Sequence, residues 1–150
     1  MAGWIPITIA TLYEAKVAAL VDSADARALK AGQANRSPGI IQGVVDEIRR
    51  KVASCKTNQV DQDITTIPSG LRDLAVDLII ARLKKSIEME LSQDERDGLG
   101  RRERDLNRIA SCLDVVDQPL NPIPAPFEAT APDPAFGCRH RDFTKHSQNG

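Results

Sequence analysis

The sequence predicts an all-α protein, a small four-helix bundle with a long loop between helices 2 and 3 and an extended C-terminal arm. Apolar residues recur at helical spacing in four segments, each with a capping residue near its start. Six of the nine prolines lie between Pro119 and Pro134, where they forbid helix. With 150 residues, 41% hydrophobic and 27% charged, the composition fits one soluble domain. We expect a helical domain over residues 1–116 and a Pro-rich arm over 117–150.

The first helix is predicted to begin at Thr11, because Thr11 and Glu14 have the spacing of a capping box. Its apolar face would comprise Leu12, Ala15, Ala19 and Leu20. Breakers follow near residues 22–23 and 32–35. A further short turn of helix over residues 24–31 stays open.

The second helix is predicted from Ser37, a side-chain cap, followed by Pro38 in the first turn, where a missing amide costs little. Its apolar stripe is Ile40, Ile41, Val44, Val45, Ile48 and Val52. The opposite face carries charged residues, among them Arg49, and we expect that face to meet solvent.

The third helix follows a polar loop over residues 56–68, in which residues 64–67 are a candidate extended segment. Pro68 disfavours helix at the preceding residue, and Ser69 is the expected cap. Apolar side chains then surround most of the helix: Leu71, Leu74, Ala75, Val76, Leu78, Ile79, Ile80, Leu83 and Ile87. A helix apolar around most of its girth is buried, so we expect it to be the core of the domain.

The fourth helix begins at another capping box, Ser92 with Glu95. Gly98 and Gly100 each weaken a helix by about 1 kcal/mol relative to alanine. The firm part is therefore expected from Arg101 onward, with Leu106, Ile109, Ala110 and Leu113 on its apolar face.

The arm is predicted to be extended, since closely spaced prolines favour a polyproline-like path. Apolar side chains punctuate it at intervals. The candidate partner-binding residues are Pro119, Leu120, Pro122, Ile123, Pro124, Phe127 and Phe136.

The charge balance argues against a generic nucleic-acid binder. Twenty Lys and Arg against 21 Asp and Glu give a net charge of −1, and 3% aromatic residues leave little for base stacking. The longest nearly apolar stretch, residues 74–83, is too short to span a membrane. Three widely spaced cysteines, Cys55, Cys112 and Cys138, indicate free thiols in a reducing cytoplasm.

Few residues offer catalytic or metal chemistry. Cys138, His140 and His146 could donate three ligands to zinc, but structural zinc sites usually have tighter pairs and a fourth ligand. The sequence contains neither a Walker-type nor a Rossmann-type phosphate loop. We therefore expect no enzymatic activity, no metal and no cofactor.

Two further features are candidate contacts. The cluster of Arg101, Arg102 and Arg104 is either a solvated helix face with mixed charges or the lining of a channel. Trp4, the sole tryptophan, either caps the core or anchors an interface, where tryptophan is enriched.

Three segments of the chain together resemble a known family. They are residues 8–14 (TIATLYE), residues 41–52 in the second helix, and residues 67–79 (IPSGLRDLAVDLI). Over residues 5–115 the pattern resembles the small head–tail connector (adaptor, or head-completion) proteins of tailed bacteriophages, including a Mu-type prophage group. It departs from that family at Gly98 and Gly100 and in its longer tail.

The resemblance implies a structural subunit of the phage neck. Such proteins form a ring, usually twelvefold, beneath the portal protein, extend the channel through which genomic DNA passes, and dock the stopper or tail terminator. An arm then reaches the portal. The expected partners are the portal, neighbouring copies, the stopper or tail terminator and unspecific DNA, with no membrane; the expected location is the virion, after assembly in the host cytoplasm.

Two other function classes stay open. A helical interaction module would offer its Pro-rich tail to a recognition domain, and Pro119 and Pro122 have PxxP spacing. An enzyme acting on DNA during packaging would need a carboxylate or histidine cluster.

Overall fold

A computed structural model describes residues 3–28 and 34–124, and this part of the chain is mostly helical, as predicted. Its elements, in order, are β1 (Trp4–Pro6), α1 (Ile9–Glu14), α2 (Ala18–Ala28), α3 (Arg36–Ser54), β2 (Thr66–Pro68), a 3-10 turn (Ser69–Leu71), α4 (Arg72–Ser86) and α5 (Gln93–Ala110). None of the helices in these two ranges is long and apolar enough to cross a bilayer.

The hydrophobic core is centred on α3 rather than on the helix that follows it. α3 contacts α1, α2, α4 and α5, and it buries an apolar stripe that includes Ile41, Val44, Val45, Ile48 and Val52. α4 adds Leu74, Ala75, Leu78, Ile79 and Leu83 on the faces it shares with α2, α3 and α5. The prediction that α4 is the central helix of the core is therefore wrong, although α4 is largely buried as expected.

The two ends of the helical body differ in what joins the helices there. Cys55, just after α3, is bonded to Cys112, just after α5, so these two helices are parallel and end together. We call this the disulfide end. At the opposite end Arg36 donates to the carbonyl of Ser86, and Lys84 pairs with Glu95. α4 therefore runs antiparallel to α3 and α5, and we call this the groove end.

The first predicted helix is two helices. α1 begins at Ile9 rather than Thr11, and Thr11 lies in its first turn, where its hydroxyl accepts from the Thr8 amide at 3.3 Å. Lys16 adopts a left-handed backbone conformation (φ 61°) and separates α1 from α2. α2 also extends earlier than the short turn considered for residues 24–31.

Two predicted caps are used differently. Ser37 is fully buried inside the first turn of α3, and its amide and hydroxyl both donate to the Asp25 carboxylate, at 2.9 and 2.7 Å. The hydroxyl of Ser69 donates to Asp117, at 2.8 Å, and a 3-10 turn precedes α4. Both hydroxyls thus link distant segments.

α5 confirms one expectation and contradicts another. The capping box is present: Glu95 donates its amide to the Ser92 hydroxyl, and the Glu95 carboxylate accepts from the Ser92 amide. However, α5 is continuous through Gly98 and Gly100, so the expectation of a stable helix only from Arg101 onward is wrong. The packing of Leu99, Leu106 and Ile109 on the core outweighs the weak propensity of two glycines.

A two-stranded antiparallel sheet joins the N-terminus to the loop before α4. Trp4 pairs with Pro68, Ile5 with Ile67 and Pro6 with Thr66, and Ile67 is fully buried. The predicted extended segment over 64–67 is therefore a shorter strand, which begins two residues later and ends one residue later, at Pro68. The sheet places Trp4 beside the chain that follows α5.

Candidate partner-binding surface

A buried arginine organises the disulfide end. Arg49, in α3, is 8% exposed, although its place in the helical pattern predicted a solvent-facing side chain. Its guanidinium donates to the carbonyl oxygens of Asp63 and Thr66, both at 2.8 Å, and of Asp61 at 2.6 Å. It also lies 5.2 Å from the centroid of the Trp4 ring. A single side chain thus fixes the loop over residues 56–65 and the first strand against α3.

The protonation of Arg49 and its loop reflects two opposing effects. Burial lowers the pKa of Arg49, because desolvation disfavours the charged form, while the carboxylates of Asp61 and Asp63 act in the opposite direction. In the same loop the hydroxyl and amide of Thr65 donate to Asp63 and lower the pKa of its carboxyl group. The loop therefore keeps negative charge near a buried cation.

Residues 112–123, which we call the strap, run as irregular chain over this end. Asp117 fixes its middle: the Trp4 indole donates to its carbonyl at 2.8 Å, and its carboxylate accepts from the Ser69 hydroxyl at 2.8 Å and from the Gly70 amide at 3.2 Å. Trp4 also packs against the hydrophobic core, so it links the core to the strap.

The second half of the strap pairs with the loop after α3. The Gln62 amide donates to the carbonyl of Asn121 at 2.9 Å, and the Ile123 amide donates to the carbonyl of Val60 at 2.8 Å. The backbone at Gly3 lies so close to the strap that a side chain would not fit, because a Cβ built on Gly3 would lie 2.6 Å from the carbonyl oxygen of Gln118. Residues 117–123, expected to belong to the arm, therefore lie on the body of the protein.

A disulfide holds the start of the strap. Cys55 and Cys112 are joined across a sequence separation of 57 residues, with their Cα atoms 5.2 Å apart. The expectation of free thiols is wrong for these two cysteines. Just beyond, Asp114 receives two hydrogen bonds from Arg108, both at 2.8 Å, which lower the pKa of the Asp114 carboxyl group and raise that of Arg108.

Although it is well fixed, the strap leaves several apolar side chains in solvent. Leu113 is 69% exposed, Val115 92%, Leu120 87% and Ile123 53%, whereas Val116 and Pro119, between them, are buried. Ile64, in the adjoining loop, is 66% exposed. Single exposed apolar residues are ordinary, but a fixed segment of 12 residues presenting four of them is a candidate docking surface.

The predicted arginine cluster lies on one face of α5. Arg101, Arg102 and Arg104, together with Arg108, line an open depression of about 560 Å³. Arg102 pairs with Asp77 of α4 at 2.9 Å, whereas Arg101 and Arg104 form no ion pair with the described residues. Asp77 and Asp105 share the depression, so the face carries mixed charge with a positive excess.

Some predicted residues cannot be placed. Phe127 and Phe136 of the arm lie outside the described residues, as do Cys138, His140 and His146. Pro122 forms an isolated bridge with Asp61, and Pro124 is exposed. Over residues 3–28 and 34–124, no group of three or more His, Cys, Asp or Glu side chains is placed to hold a metal ion.

Sequence patterns did not identify Arg49, Asp117 or the apolar residues Leu113 and Val115 as parts of one surface. Arg49 looked like one of several charged residues on a helix face, and Asp117 stood alone before a proline run. One sequence signal could have indicated this surface: residues 111–124 contain only two charged residues, Asp114 and Asp117. In comparisons with known proteins, no family model, curated protein or solved structure matches the chain.

Proposed function

We propose that this protein is a structural head–tail connector subunit of a phage neck, and that the strap is the surface through which it attaches to its partner. The observation that carries the proposal is the strap itself: Leu113, Val115, Leu120 and Ile123 are exposed on backbone held by a disulfide and by hydrogen bonds. A surface that is ordered before binding loses little conformational entropy on association, which favours affinity. A connector subunit needs such a preformed contact.

The body in this proposal is the four-helix unit α2–α5, with the strap leading into the Pro-rich arm. α3 contacts α2, α4 and α5, and it supports the loop on which the strap lies. The chain beyond residue 124, with Phe127 and Phe136, then continues toward the same partner as an extended arm. Its apolar residues add contact area without needing a core of their own.

The partners follow from this arrangement. The portal protein receives the strap and the arm, neighbouring copies complete a ring of subunits, and the stopper or tail terminator docks on the far side. The face with Arg101 and Arg104 suits the lumen of that ring, because its mixed charge contacts passing DNA without holding it tightly. We place the protein in the virion, without enzymatic activity.

Native mass spectrometry tests this function most directly. The full chain is measured alone and after mixing with the portal protein encoded in the same genome. We expect a chain that joins the portal ring in about as many copies as there are portal subunits. A chain that ignores the portal but binds a Pro-rich-recognition domain one to one would instead identify it as an interaction module.

Charge substitutions separate the strap from the rest of the surface. Val115→Asp and Leu120→Asp place a carboxylate on the strap at positions that are almost fully exposed, so both variants should fold. Met89→Asp, at a half-exposed apolar residue of the groove end, is the matched control. Loss of portal binding in the two strap variants and its retention in Met89→Asp would support the proposal, whereas equal binding by all three would overturn it.

A further inference from the structure

A second surface, at the groove end, has the features of a peptide-binding groove. α4, the loop after it and the first half of α5 enclose a depression of about 300 Å³ there. Its floor is formed by the apolar residues Ile80, Ala81, Leu91 and Leu99. A second depression of about 500 Å³ shares Ala81, Leu91 and Leu99 with it, so the two form one groove along α5.

The rim of the groove carries an excess of acidic residues, although the second depression is lined by Arg82, Lys85 and Arg96 as well as by Glu47, Glu88, Glu90 and Glu103. The charged residues that line the first depression are Asp77, Asp94 and Glu95, and no lysine or arginine lines it. Asp77 pairs with Arg102 and Glu95 with Lys84, while Asp94 forms no ion pair with the described residues. An apolar floor beside a surplus carboxylate fits a ligand that combines an aromatic ring with positive charge.

Gly98 makes the groove accessible. It lines the first depression, and apart from its chain neighbours and the nearby backbone of its own helix no atom lies within 4 Å of a Cβ built at this position. A glycine that costs about 1 kcal/mol of helix stability relative to alanine therefore serves no packing need inside the protein. Its effect is to leave the floor open between Leu91 and Leu99.

The chain itself contains a segment with the matching chemistry. All three of its phenylalanines lie beyond residue 124, at Phe127, Phe136 and Phe143. Around Phe143, residues 139–145 (RHRDFTK) carry three basic residues and one acidic residue, the reverse of the groove's charge.

We propose that residues 139–145 dock in this groove of the same chain, with the Phe143 ring on the apolar floor and the basic side chains facing the rim. The inference goes beyond the connector function and does not depend on it, because the groove and the segment both belong to the single chain.

The linker is long enough for this contact. Eighteen residues separate Pro124 from Phe143, and at about 3.1 Å per residue they span up to about 56 Å. α5, whose length separates the two ends of the body, has 18 residues and is about 27 Å long. A tether of this length also gives the segment a high effective concentration at its own groove, about millimolar, which favours it over a second copy at low protein concentration.

Photo-crosslinking in the full chain tests the contact. Phe143 is replaced by p-benzoylphenylalanine, the chain is irradiated, and the linked peptides are identified by mass spectrometry. We expect links to peptides that contain Leu91 or Leu99. Mixing chains of natural and 15N isotope content shows whether a link lies within one chain; links between isotopically different chains would overturn docking within the chain.

Two glycine variants provide a matched pair. Gly98→Leu fills the groove, whereas Gly100→Leu makes the same change two residues away, at a position that does not line it. Neither Cβ meets another atom within 4 Å, so both variants should fold with stronger helix propensity.

We expect Gly98→Leu to lower the yield of groove links about tenfold and Gly100→Leu to leave it unchanged. Asp94→Lys, which reverses the rim charge, should lower the yield as well. Links that lie elsewhere on the chain, or a yield unaffected by Gly98→Leu and Asp94→Lys, would overturn the proposal.

Discussion

The two ends of the helical body are held by different physical means. At the disulfide end, irregular chain is fixed by a covalent bond, by the hydrogen bonds of the buried Arg49 side chain, and by exposed hydrogen bonds to Asp117. At the groove end, helices meet through partly exposed contacts such as the pair of Lys84 and Glu95, and a groove is left between α4 and α5. One protein can therefore present two kinds of binding surface: an irregular segment held in a fixed position, and a groove between two helices.

The difference predicts which end tolerates substitution. Exposed ion pairs contribute little to stability, typically below about 1 kcal/mol, because water screens them and long side chains lose entropy. The Arg49 guanidinium satisfies three carbonyl oxygens, and when it is removed the buried one, that of Thr66, has no solvent to replace it. Substitutions of the residues that fix the disulfide end, Arg49 and Cys112, should therefore be several times more costly than substitutions of the ion pairs at the groove end.

Loss of the disulfide should have the largest effect. Cys112→Ser removes the link while placing a hydroxyl at an exposed site, and closing a loop of this length stabilises by about 4 kcal/mol in the chain-entropy description. Urea unfolding without reductant should therefore show the variant less stable by about that amount. With dithiothreitol present, wild type and variant should unfold at similar urea concentrations.

Cys138→Ser is the control for that comparison, since Cys138 takes no part in the pair of Cys55 and Cys112. It should unfold like wild type with and without reductant. An oxidised wild-type chain that is no more stable than Cys112→Ser would contradict the assignment of the disulfide as a stabilising link at this end.

Arg49→Met should have the next largest effect. Methionine keeps the apolar stem, but the carbonyl oxygens of Asp61, Asp63 and Thr66 lose their donor. Hydrogen bonds from charged donors are worth about 1.5–3 kcal/mol each and are not additive, so we expect a loss of about 3 kcal/mol in the free energy of unfolding.

Arg50→Met is the matched control, because Arg50 is the exposed next residue of α3. It should change the free energy of unfolding by no more than about 0.5 kcal/mol. Fluorescence of Trp4, the sole tryptophan, reports the local change, since its ring lies against the Arg49 guanidinium. Equal stabilities of the two variants would remove Arg49 from its organising role.

Local patterns in the sequence predicted much of the helical body. The apolar stripe from Ile41 to Val52 corresponds to α3, and Ser92 with Glu95 forms the predicted capping box of α5. These features succeeded because their partners lie three or four residues away on the same helix, so spacing alone carries the information.

The C-terminal ends of the helices were harder to predict, because none of the three left-handed residues that follow them is glycine. α1, α4 and α5 each end with a left-handed residue, at Lys16, Glu88 and Cys112, all with φ near 60°. In each case the amide of the left-handed residue and the amide of the residue after it bond back to the helix in the Schellman pattern; for α5, Cys112 donates to Ile109 and Leu113 to Arg108. Glycine is the usual residue there, so a search for glycine misses all three ends.

The candidate surface was not predictable from local patterns for a different reason. Arg49 bonds to carbonyl oxygens 12–17 residues away, and Cys55 pairs with a residue 57 positions along the chain. Every residue has a main-chain carbonyl, so no residue type in the sequence marks the acceptors of Arg49. The spacing of three cysteines likewise does not determine which two of them pair. Only the tertiary fold brings these groups together with the apolar residues of the strap.

Acid should lower the stability of the groove end by protonating Glu95. We expect this effect on the free energy of unfolding to be smaller than those of Cys112→Ser and Arg49→Met. The hydrogen bond from Lys84, followed by that from the Ser92 amide, lowers the pKa of Glu95 below its ordinary value of 4.5. A carboxyl group whose pKa is lower in the folded state stabilises fully above its unfolded pKa, and this contribution disappears as pH falls through the folded pKa. Glu95→Gln should therefore be less stable than wild type at neutral pH, and the difference should shrink below about pH 4.5.

Urea unfolding at a series of pH values from 7 to 3 measures this convergence. Glu103→Gln, on the same helix, is the control, because the Glu103 side chain is exposed and has no hydrogen-bond partner among the described residues. Asp63 and Asp114, whose pKa values are also lowered, lie at the disulfide end, so wild type and Glu95→Gln should both still lose stability in acid. A stability difference that stays constant down to pH 3 would show that Glu95 contributes through packing rather than through its charge, and the two ends would then differ less than their contacts suggest.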